Sequence, residues 1–347
     1  MDLLRTFVKT TAFTISEDAA IGDVFSGYVV DIAMKQQFVL HAILGLTALH
    51  RAATDPSVDA MEIPSLLDVA AEHQNLSRIL FHDTVQAVML ENVEAVFVYT
   101  SLVSVSIWCK QHPRLRQHYD HDLLTQSGWI RTLRGTNGLL GDGRSISTWL
   151  EASPLRILIP YEGLFIPPVP EGNEWAKQIS WRLESLKDWL ASRQITQSTY
   201  GTSHSSSSDD NIYIKPLDDL RVTLGRIATA QIFLQSESNT ERSPADSAVV
   251  GEWMEYKVKA RPASFCTSWL FHISNEFLDQ LDVGTPDAVL SFAYFGVLVH
   301  GVKGLWHYEG LGRAIVESCQ AQLQGQACHE DYLSWMEWPM EVTSQTT

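Results

Sequence analysis

The sequence is poor in cysteine and in basic residues. Its 347 residues include four cysteines, and none of them forms a CxxC pair, which excludes zinc fingers and thioredoxin-like redox motifs. Lysine and arginine number 25 against 41 aspartates and glutamates, so the formal net charge is -16. Nucleic-acid binding draws on basic side chains that neutralise phosphates. We therefore expect no direct nucleic-acid binding.

Long uninterrupted apolar runs are absent as well. The two most apolar segments, 95–108 and 288–302, are each shorter than the roughly 18 residues needed to cross a bilayer. Charged residues at Asp2, Arg5 and Lys9 interrupt the first segment, which lacks the apolar stretch of a signal peptide. These features predict an intracellular protein, cytoplasmic or nuclear, with reduced cysteines and no membrane span.

What the sequence has is apolar residues at helical spacing. With 45% hydrophobic residues and 11 tryptophans it can bury a large core. Apolar positions recur every three or four residues, and strand-like alternation is hard to find. We predict an all-α protein, a multi-helix orthogonal array with an internal apolar ligand pocket. The predicted helices span 3–11, 38–49, 64–89, 93–110, 122–140, 174–192, 217–235, 262–281, 288–305 and 311–322.

Three stretches interrupt the helical pattern. Residues 154–170 contain five prolines and predict an ordered connector, because no long helix tolerates that density. The serine-rich stretch 196–211 predicts a disordered loop, and 236–247 is a shorter polar break. We predict one helical domain over 1–347, although the same breaks would also separate two domains.

Motifs for common chemistries are missing. The chain has no GxSxG elbow, phosphate-binding loop or HExxH pair. The run 218–222, DDLRV, has Arg221 inside it and lacks the downstream carboxylate of an aspartate-rich terpene cyclase motif. Gly310-Leu311-Gly312 lacks a preceding strand and a third glycine, so it predicts a helix-start turn. The run 118–122, HYDHD, would suit either a metal ion or helix capping, and its place before a helix favours capping. We predict no cofactor and no metal.

Some polar rings lie in strongly apolar segments. His41 and His50 share one apolar helix, and His300 lies inside another. Each needs a hydrogen-bond partner when buried, which a neighbouring helix or a bound ligand would supply. Large aromatic side chains with a polar atom raise the same two alternatives, core or ligand contact. These aromatic residues are Tyr99, Trp108, Tyr294, Trp306 and Tyr308.

Five short runs together resemble a known family. They are DLLRTF at 2–7, LHAILGLTALH at 40–50, AAEH at 70–73, WIRTLRG at 129–135 and WMEWP at 335–339. Taken together they resemble the fungal-specific transcription factor domain, in particular the ligand-binding domain of sterol-uptake regulators. The resemblance implies a deep apolar pocket for a sterol-like molecule and a possible homodimer. The family's six-cysteine zinc cluster, which reads DNA, has no counterpart in this sequence.

Two functions follow from this resemblance. One is a cofactor-independent cyclase of secondary metabolism, such as a [4+2] cycloaddition catalyst, that folds a terpenoid or polyketide-like substrate in the pocket. Its candidate hydrogen-bond donors are His300, Trp108, His41 and Tyr294. The alternative is a regulatory module that senses a sterol or lipid. In both, the expected partner is a hydrophobic small molecule.

Overall fold

The structure, a computed structural model, describes residues 2–119, 127–138, 148–159, 173–200, 212–238, 262–326 and 330–345. Its regular structure consists of α-helices and short 3-10 helices, with no β-strand in those ranges, which confirms the all-α prediction. In chain order the described α-helices are α1 (Asp2–Lys9), α2 (Ala19–Ser26), α3 (Tyr28–Lys35), α4 (Gln37–Thr54), α5 (Ile63–Thr84), α6 (Val93–Trp108), α7 (Gly128–Gly138), α8 (Glu174–Tyr200), α9 (Ile214–Ser238), α10 (Pro262–His272), α11 (Asn275–Val283), α12 (Pro286–His300), α13 (Leu311–Gln324) and α14 (Glu330–Ser344).

The chain divides into two compact units. Unit 1 comprises Met1–Leu123, Gly128–Pro160 and Lys303–Leu311, and so contains α1 to α7. Unit 2 comprises Leu124–Ser127, Tyr161–Val302 and Gly312–Thr347, and so contains α8 to α14. The chain therefore returns to unit 1 for nine residues between α12 and α13.

Helix α4 forms the centre of unit 1, packed against α1, α3, α5 and α6. Most of its residues from Phe38 to Ala53 are buried. Gly45 lets α5 come close, since a Cβ there would lie 3.2 Å from the carbonyl oxygen of Ala70. Beyond the end of α4, the Arg114 guanidinium donates to the carbonyl oxygens of Asp55 and Val58, at 2.9 and 2.7 Å. These bonds hold in place the segment that follows α4.

Helix α12 forms the centre of unit 2, and every residue from Ala288 to Val299 is buried. A glycine pair brings it against α13: a Cβ on Gly296 would lie 3.0 Å from the carbonyl oxygen of Gly312. On another side Trp269 stacks on Phe295, with ring centres 4.5 Å apart. The apolar run around α12 is thus a core helix, as its composition indicates.

Among the described residues, one helical segment is apolar enough to cross a membrane by length and composition, and a bent pair of helices would be a second if taken as one span. Val93–Gln111 has 19 residues, and 56% of its apolar window is buried inside the protein. The second segment is long enough to span a bilayer only if α11 and α12 are taken as one segment. The chain bends by 106° between these two helices. Both segments are longer than the apolar segments identified in the sequence, 95–108 and 288–302, which have 14 and 15 residues. Buried core helices share this composition, and the absence of a membrane span stays a prediction.

Several predicted helix ends are wrong, each for a local reason. Helix α5 ends at Thr84 rather than 89, because the Asn92 side chain forms a turn by accepting from Met89 N–H and donating to the Ala87 carbonyl oxygen. The predicted helix 262–281 is two helices, since Ser274 caps α11 by accepting from Phe277 N–H. The predicted helix 288–305 ends at His300.

Two predicted breaks begin too early. Helix α8 continues through residues 196–200 and helix α9 through 236–238. Extending an existing helix over serine, threonine and glutamine costs little compared with starting one, so polar composition alone did not end either helix. The rest of both breaks lies outside the described residues. So does the part of the proline-rich connector from 160 to 170. The two predicted ends of the helix 122–140 also lie outside them.

Candidate functional site

The segment that returns to unit 1, Lys303–Leu311, has a shape that its glycines permit. Gly304 and Gly310 have φ angles of +82° and +75°, in the left-handed region that favours glycine. A Cβ on Gly310 would also lie 2.9 Å from the carbonyl oxygen of Gln111. Gly310 immediately precedes α13, which confirms the predicted helix-start turn. Between the two glycines, Trp306–Tyr308 form a 3-10 helix whose three rings are buried.

These rings join two others in a continuous set that we call the aromatic row: His50, Trp306, His307, Tyr308 and Trp108. Successive ring centres lie 4.9, 5.7, 5.2 and 4.6 Å apart along that order. These distances are those of direct ring contact. The row therefore links the end of α4, the returning segment and the end of α6.

Hydrogen bonds fix which nitrogen of His50 carries the proton. Thr14 Oγ1 donates its single proton to the Thr11 carbonyl oxygen at 2.8 Å. It must therefore accept from His50 Nε2, which lies 3.3 Å away. His50 Nδ1 then carries no proton and accepts from Thr11 Oγ1 at 2.9 Å. Both nitrogens of His50 are thus satisfied by hydroxyl groups of unit 1.

His112 is held beside the row in a similar way. Its Nδ1 accepts from the backbone N–H of Arg114 at 3.2 Å, so the proton lies on Nε2. Nε2 donates to Glu309 Oε2 at 3.2 Å. The imidazole is buried, with 5% of its side chain exposed, whereas the Glu309 side chain is 61% exposed. This bond ties the returning segment to the stretch that follows α6.

Burial keeps the imidazoles of the site neutral. It lowers the pKa of His307 to about 3, with a further lowering from His50. It lowers the pKa of His50 to about 4, although the negative charge of Asp55 opposes the shift. For His112 burial also lowers the pKa, against the opposing effect of the Glu309 carboxylate. A neutral imidazole both donates and accepts one hydrogen bond.

Four buried polar atoms at the site have no hydrogen-bond partner among the described residues. They are Trp108 Nε1, Trp306 Nε1, His307 Nδ1 and Gln111 Oε1. The two indole nitrogens only donate, the amide oxygen only accepts, and the imidazole nitrogen does either according to its tautomer. Buried polar atoms are normally paired, with protein or with ordered molecules. Within the described part of the chain, the site therefore has both donors and acceptors whose hydrogen-bonding capacity is unused.

The four predicted site residues are divided between the two units. Trp108 lies in the aromatic row. His41 belongs to unit 1 too, but nine residues of α4 separate it from His50, about 13 Å along the helix. Its Nδ1 lies 2.8 Å from Nδ1 of His73. Tyr294 and the half-buried His300 lie on α12 in unit 2.

Residues missed by the sequence analysis include His307, Gln111 and His112. Trp306 and Tyr308 were identified only as aromatic rings with a polar atom. One signal was present in the sequence: three consecutive aromatic residues, Trp-His-Tyr at 306–308, stand between Gly304 and Gly310. A short segment of that kind places rings on a compact turn rather than on a helix face.

The described residues offer little for metal or thiol chemistry. No group of three or more metal-ligating side chains occurs among them. The candidate run 118–122 is described only as far as Tyr119, and His118 lies in the 3-10 helix Arg116–His118. Complete burial raises the pKa of the Cys109 thiol to about 12, so it is not a nucleophile near neutral pH.

Comparisons of the chain with protein-family models, with curated proteins and with solved structures found no match. The resemblance to the fungal transcription factor domain therefore stays a prediction from the sequence runs that carry it. What the structure establishes is an all-α fold with a row of buried rings in unit 1, some of whose polar atoms have no partner in the described ranges.

Proposed function

We propose that unit 1 binds a largely apolar small molecule that carries oxygen atoms, of the terpenoid or sterol type, and promotes its cyclisation without a cofactor. The observation behind this proposal is a set of four buried atoms, three in the aromatic row and one on the neighbouring Gln111, that have no partner among the described residues. A ligand that forms hydrogen bonds with these atoms removes the free-energy cost of leaving them unpaired, and this contributes to its binding.

The chemistry of the row favours a neutral ligand. Its imidazoles are uncharged near neutral pH because burial lowers the pKa of both His50 and His307. Ring faces supply an apolar surface, while indole N–H groups suit a carbonyl or hydroxyl oxygen. An alkyl or terpenoid skeleton with one or two oxygens matches both properties.

Cyclisation is the reaction that such a site is equipped to promote. Holding two ends of one molecule close together contributes on the order of 7 kcal/mol in well-oriented cases. An N–H donor aimed at a carbonyl of the substrate lowers the barrier further by stabilising the charge that develops on its oxygen. Trp108 and Trp306 are the donors for this role, since their N–H groups have no other partner in the described part of the chain.

The test is to incubate the purified chain with lipid and terpenoid extracts and to follow retained ligand and new products by mass spectrometry. A new isomer of unchanged mass, absent with boiled protein, supports the cyclase. A molecule retained in stoichiometric amount and recovered unchanged supports a binding module with a sensing role. The absence of both a retained molecule and a new isomer would refute the proposal.

Paired variants locate the bound molecule. Replacing Gln111 with Leu removes the unpaired amide oxygen at the row and should weaken retention about tenfold. The matched control is Gln322→Leu, since Gln322 also has a buried, unpaired Oε1 but lies in unit 2. Equal retention by the two variants would place the ligand elsewhere.

A further inference from the structure

Helices α8 and α14 in unit 2 are joined by stacked rings and guanidinium groups. The Arg182 guanidinium lies 5.4 Å from the ring centre of Trp338. Trp189 contacts the ring of Trp335 at 5.5 Å, and Arg193 lies 4.9 Å from the ring of Tyr332. As residue numbers rise along α8 they fall along α14. The two helices therefore run antiparallel, with one arginine near each end of the shared face.

The two arginines differ in one respect. Arg193 is paired with Asp331, at 3.5 Å between nitrogen and oxygen. Arg182 has no ion pair with any described residue, and its Nε, which is buried, has no hydrogen-bond partner there. Its guanidinium instead lies between two indoles, 5.1 Å from the ring of Trp181 and 5.4 Å from that of Trp338. A partly buried cation without an anion is unusual, because burial is costly unless the charge is paired.

Two other polar groups next to Arg182 have no partner, or only a distant one, within the described part of the chain. Trp338 is 6% exposed, and its Nε1 has no partner among the described residues. The ring of Tyr294 lies 5.8 Å from that of Trp338, and its hydroxyl makes only a long bond, 3.5 Å, to the Trp335 carbonyl oxygen. Burial raises the pKa of Tyr294, and the positive charge of Arg182 opposes that rise, as expected for neighbouring groups.

We propose that Arg182, Trp338 and Tyr294 form a binding site for a monocarboxylate, separate from the aromatic row of unit 1. Guanidinium Nε–H and indole N–H are both donors, and a carboxylate oxygen is the acceptor that they match best. One unpaired guanidinium balances one negative charge. The chain's net charge of -16 also opposes a phosphate with two charges.

The ligand's remaining part is set by the surroundings of the guanidinium. Trp181 is 63% exposed and forms one side of the site, while Trp338 forms the buried side. Flat aromatic faces favour a planar or apolar group attached to the carboxylate. Benzoate and hexanoate are therefore suitable probes, with benzamide and hexanamide as uncharged counterparts of the same shape.

Isothermal titration calorimetry of the full chain tests the site. We expect benzoate or hexanoate to bind and the matching amide to bind at least about tenfold more weakly. Arg182→Met should weaken carboxylate binding about 30-fold. Arg193→Met is the matched control, because Arg193 is also stacked on α8 and α14 rings but already has an anion, and it should change binding less than about twofold.

Trp338→Phe provides a second test that does not depend on the charge. It keeps a ring at the position and removes only the indole N–H, and a loss of about fivefold in carboxylate affinity is expected. Circular dichroism spectroscopy checks that each variant is folded. Equal affinity of Arg182→Met and the unmodified chain for benzoate, equal affinity for benzoate and benzamide, or no binding of either carboxylate at about 10 mM would each overturn the proposal. Tighter binding of inorganic phosphate than of either carboxylate would overturn the choice of a monoanion.

Discussion

The neutral state of His307 predicts a pH-dependent stability that one substitution removes. An unfolded chain exposes this imidazole, whose pKa then returns to about 6.5, whereas burial lowers it to about 3 in the folded chain. The unfolded state therefore binds a proton that the folded state does not, as the pH falls through 6.5. Stability is complete above that pH and declines as the pH falls toward the folded value.

The size of the effect follows from the same two values. At pH 5 the unfolded state gains about 2 kcal/mol from protonating His307, while the folded state gains almost nothing. His50 contributes a similar loss of about 2 kcal/mol, because its folded pKa is about 4. Replacing His307 with Phe keeps a ring of similar size and removes the titrating group. The variant should lose about 2 kcal/mol less than the unmodified chain between pH 7.5 and pH 5.0.

Urea unfolding at the two pH values measures this difference, because other titrating groups contribute equally to both proteins. Tyr308→Phe is the control: it alters the neighbouring ring of the row, and neither tyrosine nor phenylalanine titrates between pH 5.0 and 7.5. It should leave the pH dependence as it is in the unmodified chain. The same loss of stability in His307→Phe and in the unmodified chain would show that water reaches His307 in the folded state and would refute the reasoning.

Three further predictions concern local contacts, each measured by chemical denaturation. Thr11→Val leaves the buried Nδ1 of His50 without its donor and should cost about 1 to 3 kcal/mol of unfolding free energy; an unchanged value would contradict a hydrogen bond between Thr11 and His50. Gly312→Ala places a Cβ 2.4 Å from the backbone nitrogen of His300 and should cost about 1 to 3 kcal/mol, whereas Gly135→Ala, where the Cβ meets nothing within 4 Å, should not destabilise the chain. Ser274→Ala removes the cap of α11 and should cost about 1 kcal/mol, with full stability retained only if the bond to Phe277 N–H is dispensable.

Helix existence followed from the sequence where the apolar period was long and regular. Helices α4, α6 and α12 were all found on that basis, and their apolar residues are buried as expected. Helix ends were harder, because they depend on single polar side chains. A serine splits 262–281 into two helices and an asparagine turn shortens α5, yet both residue types are also common in places where no helix ends.

The candidate site was harder still to foresee. Its members come from the ends of α4 and α6 and from Lys303–Leu311, a segment more than 190 residues away from α6 in the sequence. Trp108 was identified correctly as an apolar ring with a polar atom, but nothing in the local sequence shows that Trp306 lies beside His50. Such pairings are tertiary contacts, and periodicity within one helix carries no information about them.

The partnerless atoms of the aromatic row also bear on why the row has its present composition. A buried polar atom without a partner costs about 1 to 3 kcal/mol, and an apolar ring of similar size would avoid that cost. His307 alone combines an unpaired Nδ1 with a pKa lowered to about 3, so phenylalanine in its place should make the empty protein more stable near neutral pH. A sequence that met only the needs of folding would gain from that exchange. Rings that destabilise the empty state are instead expected where a bound molecule completes their hydrogen bonds, and His307→Phe should therefore raise stability while it weakens ligand retention.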